Sequence, residues 1–134
     1  MSAIREVIAP PGRVQVAAVT SAQPASMVVR GGDFLFVSGL TSVDLPSRQR
    51  IGGTTASETR QILTNLKQLL EAAGSSLDKV VKVNVLLHSM LEAPNMNDVY
   101  ARYVVDPPPA RSTVQVARLP RDARVEIDVI AVID

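Results

Sequence analysis

TTASETRQILTNLKQLLEAAGSSLDKVVKVNVLLHS, residues 54–89, carries two periodicities in succession. Ile62, Leu66, Leu69, Leu70 and Ala73 recur at helical spacing. Thr54, Thr55 or Ser57 can cap the start, and Gly74 closes the end, so a helix is predicted over about 54–73. Glu58, Arg60, Lys67 and Glu71 are read as its largely water-facing side. From Lys79 the period drops to two. Val81, Val83, Val85 and Leu87 share one face of a strand, and Lys82, Asn84, Leu86 and His88 the other. An apolar helical stripe followed directly by an alternating strand calls for a layer of helix on sheet.

The rest of the chain fits that frame. "RVQVAAV" (13–19) alternates as a strand after the turn "IAPPG" (8–12). "MVVRGGDFLFVSG" (27–39) reads as two strands joined at Arg30-Gly31-Gly32-Asp33. "TSVDLPSRQRIGGT" (41–54) is loop. "APNMNDVYARYVV" (93–105) reads as a second helix, with Pro94 near its start and "DPPPA" beyond its end. Final strands are predicted at about 111–118 and 124–133. The order β-ββ-α-β-α-β-β implies an α+β fold, one mixed sheet with both helices on one face, in a single domain over 1–134.

Composition removes several function classes. There is no cysteine, so disulfides, thiolate catalysis and cysteine-ligated metals are out. Fourteen basic and thirteen acidic residues give a net charge of +1, with no basic block and only four aromatic residues, so no nucleic-acid partner is expected. No apolar run reaches membrane-spanning length, and the N-terminus lacks a signal-peptide core; a cytoplasmic location is expected. The lone His88 has no companion ligands, so no metal site is expected, and a surface or structural role fits it. Ser26 and Ser38 show no histidine–carboxylate partners in the sequence.

The last two strands raise the functional question. Val114 and Val116 fit the helix-covered side, as do Val125, Ile127, Val129 and Ala131. The other side would then carry Arg111, Thr113 and Gln115, with Arg124, Glu126, Asp128, Ile130 and Val132. Two helices cannot cover both faces. A half-apolar, half-charged open face points to packing between copies of the chain, where a charge must be paired or used. On spacing alone, Arg111 and Glu126 read as a structural ion pair or as solvated strand ends, since ordinary ion pairs outnumber catalytic ones.

Read as a whole, the sequence resembles the RidA/YjgF family of reactive-intermediate deaminases, also known as L-PSP endoribonucleases. The resemblance rests on "RGGDFLFVSG" (30–39), "TRQILTNLKQLLEAAGSSLDKVVKVNVLL" (59–87), "NDVYARY" (97–103) and "PARSTVQVARLPRDARVEIDVIAV" (109–132). It implies a chorismate-mutase-like fold, a homotrimer built on a central barrel with clefts between subunits, and hydrolysis of small carboxylate-bearing enamines and imines to a 2-keto acid and ammonia without metal or organic cofactor. It implies that Arg111 grips the substrate carboxylate and that Glu126 activates the attacking water. Ser38 and Gly39 in "VSG", with Asn97 and Thr113, are implied as substrate-binding residues of the cleft.

The sequence departs from the family pattern at three points. Ala25 stands where active members carry a tyrosine, and Leu40 where glutamine is common; the loop "VVDPPPAR" is also short and proline-rich. These changes suggest a larger, more apolar cleft and a larger substrate, such as a 2-aminomuconate-like acid. A non-catalytic, metabolite-binding or regulatory trimer is the alternative. Tyr100, Tyr103, Met90 and Met96 are read as packing residues, and "RLPRDAR" (118–124) as a solvated turn.

Overall fold

A computed structural model describes residues 5–8, 24–104 and 106–133. Its strands are β1 (Arg5–Ile8), β2 (Val28–Gly31), β3 (Phe34–Leu40), β4 (Val80–Leu87), β5 (Ala110–Gln115) and β6 (Val125–Val132). Its helices are α1 (Thr55–Ala72), between β3 and β4, and α2 (Ala93–Tyr100), between β4 and β5. The strands form one sheet in the order β1-β2-β3-β6-β4-β5. Every pairing is antiparallel except β4 with β5. The strand expected at 13–19 and most of the turn at 8–12 lie outside the described residues. β1, at Arg5–Ile8, is a strand the alternation did not single out.

Local chemistry explains the element ends. Thr54 caps α1, its side chain accepting from the Ser57 backbone N–H while the Ser57 hydroxyl accepts from the Thr54 N–H. At the far end Gly74 takes a φ of +88°, which lets Gly74 N–H reach Glu71 O and Ser75 N–H reach Leu70 O. The β2–β3 hairpin turns at Gly32-Asp33, with Gly32 at φ +58°.

The core lies between the helices and one face of the sheet. Ile62, Leu63, Leu66, Leu69 and Leu70 of α1, with Met96 and Val99 of α2, are buried. All of these but Val99 pack in one cluster with Leu35, Val37 and Leu40 of β3, Val83, Val85 and Leu87 of β4, and Val125, Ile127, Val129 and Ala131 of β6. Phe34, Phe36 and Val114 lie on the opposite face and are 43%, 45% and 47% exposed. Leu86, Ile130 and Val132 beside them are half-buried. Met90 is also exposed rather than packed. No helix among the described residues is long and apolar enough to cross a membrane.

Several expectations are corrected. The face assignment of β5 is reversed. β5 runs parallel to β4 with Arg111 beside Val83 and Thr113 beside Val85, so Arg111 and Thr113 lie on the helix-covered side and Val114 on the open one. Alternation gives the period but not which face is which. On an edge strand beside an apolar open face, Val114 has an apolar setting on either side. Val81 leaves the apolar face of β4 because the register slips between Val80 and Lys82, and it is exposed. Glu58, read as water-facing, is 1% exposed. Its carboxylate accepts from the Arg124 backbone N–H (2.9 Å) and from the Arg50 guanidinium (3.1 Å), tying the 41–54 loop and the 120–124 turn to α1. Only that long-range pairing makes a buried carboxylate tolerable.

Candidate active site

Residues singled out in the sequence fall into two groups, one on each face of the sheet. The first is built by β3 and β6 on the open face. The register between β3 and β6 slips between Val37 and Leu40, so that Ser38 and Gly39 form a bulge opposite β6. The Ser38 backbone N–H and hydroxyl are both occupied, donating to Met27 O (2.8 Å) and Ser26 O (2.6 Å). The bulge presents the bare α-carbon of Gly39 to Glu126. A β-carbon there would overlap Glu126 Oε2 and lie 2.8 Å from its Cδ. The missing side chain of Gly39 is thus the space that the Glu126 carboxyl occupies.

The electrostatics of Glu126 follow from that setting. Partial burial raises its pKa above the ordinary glutamate value, and the neighbouring Asp128 carboxylate raises it further. Asp128 in turn accepts from Asn84 Nδ2 on β4 at 3.0 Å. Leu40, expected to make the cleft more apolar, points the other way and is buried in the core. Its side follows from the bulge, which turns Gly39 out and Leu40 in. Ala25 is exposed near the start of β2.

The second group lies on the helix side, at the β5 edge. The Arg111 guanidinium carbon sits 4.7 Å from the centre of the Tyr100 ring. Among the described residues no carboxylate pairs with Arg111. Tyr100 ends α2, is 8% exposed, and has a pKa raised by burial and opposed by the Arg111 charge. The hydroxyls of Tyr100 and Thr113 are both buried without a well-formed hydrogen bond, although the Arg111 guanidinium is close enough to the Tyr100 oxygen to oppose the rise in its pKa as a donor. Asn97, one turn before Tyr100, is exposed. Tyr100 helps line a small apolar cavity, together with Leu66, Val83, Val104, Pro109 and Ile127. Tyr103 is tied back to α1 through its hydroxyl and Thr64 Oγ1, 3.2 Å apart. His88 is exposed and the 118–124 turn is largely solvated, as expected.

Arg111 and Glu126 therefore do not meet within one protomer. β4 separates their strands, and Arg111 pairs beside Val83 while Glu126 pairs beside Leu86. Strand spacing and rise put their Cα atoms roughly 14 Å apart, with the side chains on opposite faces. Alternation along the last two strands predicts both on one face, and the sequence predicts only packing for Tyr100; the structure corrects the first and brings Tyr100 against Arg111. The one signal for Tyr100 was its spacing from Asn97 on the second helix.

Comparison with known proteins agrees with this architecture. A RutC family protein of Pyrococcus horikoshii is 44% identical over 108 residues, spanning 81% of this chain and 86% of that protein. A 2-iminobutanoate/2-iminopropanoate deaminase of Dermatophagoides farinae is 39% identical over 111 residues, 83% of this chain and 87% of that one. The crystal structure of RidA from an Antarctic Psychrobacter superposes with a TM-score of 0.78 at 34% identity, covering 84% of this chain and 91% of that one. With the family model for endoribonuclease L-PSP matching residues 15–133, the chain belongs to that family, the RidA/YjgF family its sequence resembles.

Proposed function

We propose that the protein hydrolyses small carboxylate-bearing enamines and imines to a 2-keto acid and ammonia, acting as a cytoplasmic homotrimer. The observation that carries this reading is the back-to-back placement of two complementary groups. Arg111 is a guanidinium without a carboxylate partner among the described residues, and Glu126 is a carboxylate whose pKa is raised. Neither can serve the other inside one protomer. Both can serve one substrate where Arg111 of one copy faces Glu126 of the next. The exposed Phe34, Phe36 and Val114 support such an assembly, since the open sheet face needs cover. Relatives named 2-iminobutanoate/2-iminopropanoate deaminase support the reaction class.

The chemistry asks little of the protein. Arg111 holds the substrate carboxylate through two parallel N–H donors. Glu126 accepts a proton from water as the water oxygen bonds to the imine carbon. That proton passes to the nitrogen to give the carbinolamine; a second proton then moves from its hydroxyl to the nitrogen through Glu126, the C–N bond breaks as the C=O bond forms, and ammonia leaves with the 2-keto acid behind. A carboxylate with a raised pKa is a stronger base for the first step, and its conjugate acid still holds the proton that the second step needs. Holding substrate and water together supplies much of the acceleration. Ser38, Gly39, Asn97 and Thr113 border the two halves of this site. Ala25, in place of a tyrosine, leaves room for a substrate larger than 2-iminopropionate.

The test is complementation. Arg111→Ala and Glu126→Gln homotrimers should each release little ammonia from imines generated in place by an amino-acid oxidase. Mixed, unfolded and refolded together, they should recover activity, because some clefts then pair an intact Arg111 with an intact Glu126. No recovery in mixed trimers verified by mass would sink the shared-site reading. Screening small and large imines, including a 2-aminomuconate-like acid, decides the substrate range.

A further inference from the structure

We infer that Tyr100 is a positioning residue: its ring holds the Arg111 guanidinium in the orientation that receives the substrate carboxylate. The inference rests on the functional reading above. Arginine on an edge strand has a long, flexible side chain, and ordering it on ligand binding weakens affinity. Here that ordering is already done. The guanidinium carbon lies 4.7 Å from the ring centre, within cation–π range. The ring is anchored by packing: Tyr100 is 8% exposed and belongs to the buried core cluster. Val83 is the direct β4 neighbour of Arg111, so backbone and ring fix the arginine from two sides. Packing alone would be satisfied by any apolar side chain of similar size. A flat electron-rich face beside an arginine with no carboxylate partner among the described residues does more. It steadies the guanidinium while leaving it no carboxylate to satisfy among the described residues, so its donors can serve a planar acid.

The test compares full-length Tyr100→Phe, Tyr100→Leu and a variant carrying pentafluorophenylalanine at position 100, with Arg111→Ala as reference. Affinity for pyruvate, a 2-keto acid, is read by titration calorimetry. KM and kcat are read from ammonia release on 2-iminopropionate. Tyr100→Phe keeps the ring and should stay within about two-fold of the parent in both KM and kcat. The leucine and fluorinated variants should raise KM and weaken pyruvate binding by about 3- to 30-fold, with kcat nearly unchanged. The fluorinated ring keeps shape and fold while reversing the quadrupole, so it stands where the leucine variant misfolds. Equal KM for the phenylalanine and pentafluorophenylalanine variants would overturn the inference, as would a phenylalanine variant as impaired as leucine. Should Arg111→Ala bind pyruvate as the parent does, the carboxylate site itself is wrong, and the role of Tyr100 falls with it.

Discussion

Gly39→Ala is the sharpest perturbation, because it adds one carbon and touches one group. The new β-carbon would overlap Glu126 Oε2 and lie 2.8 Å from Cδ and 3.1 Å from Cγ. Ordinary carbon contacts are about 3.5–4.0 Å, so the carboxyl must swing away by on the order of 1 Å. Gly39 has no positive φ, so alanine fits the backbone, and the position is exposed, so the fold should survive. A misplacement of about 1 Å in a water-activating group lowers the rate by about 100-fold. Substrate capture by Arg111, on the other face and from another copy in the proposed assembly, should not change. The expected result is kcat down about 100-fold, with pyruvate affinity within about two-fold of the parent. Glu126→Asp in the alanine background shortens the side chain by one carbon and should recover part of the loss. Parental kcat in Gly39→Ala, with its trimer intact by light scattering, would refute the idea that the bulge exists to seat Glu126.

Other consequences can be measured alongside. Burial and Asp128 raise the Glu126 pKa, so the acidic limb of the kcat profile should sit above that of an ordinary glutamate. Asp128→Asn keeps an acceptor for Asn84 while removing the repelling charge, and should move that limb to lower pH. The same raised pKa means the folded state holds the Glu126 proton longer than the unfolded chain. Its stabilising contribution is complete below the unfolded glutamate pKa and is lost as pH rises through the folded value, which denaturant titrations at several pH values can follow. Arg111→Lys keeps the charge but loses the second prong, and KM for 2-iminopropionate should rise about 10- to 100-fold. Glu58→Ala leaves the Arg124 N–H and the Arg50 guanidinium without their acceptor, and should destabilise by about 2–4 kcal/mol. That corresponds to a melting point lower by on the order of 10 °C by calorimetry.

The residues that act locally were legible in the chain. α1 could be read from its stripe, its threonine cap and Gly74, because hydrogen bonds within a few residues and one apolar face decide a helix. The β2–β3 hairpin followed from Gly32 in the same way. An uncovered sheet face also followed, since two helices cannot coat both sides of a sheet. The family signature drew attention to Arg111, Glu126 and the Ser38-Gly39 pair. What the chain alone left open was facing and partnership. Alternation on β5 has the same period whichever way the strand is turned, and only its parallel register with β4 puts Arg111 against Tyr100 and Val114 outside. Glu58 looks like any helix-surface glutamate until Arg50 and the Arg124 backbone, far away in sequence, close over it. The bulge that turns Gly39 toward Glu126 is a mismatch between two strands, a property that neither strand has by itself. Short-range periodicity thus decided which elements form. Pairing across the sheet decided which side of it each charged group serves.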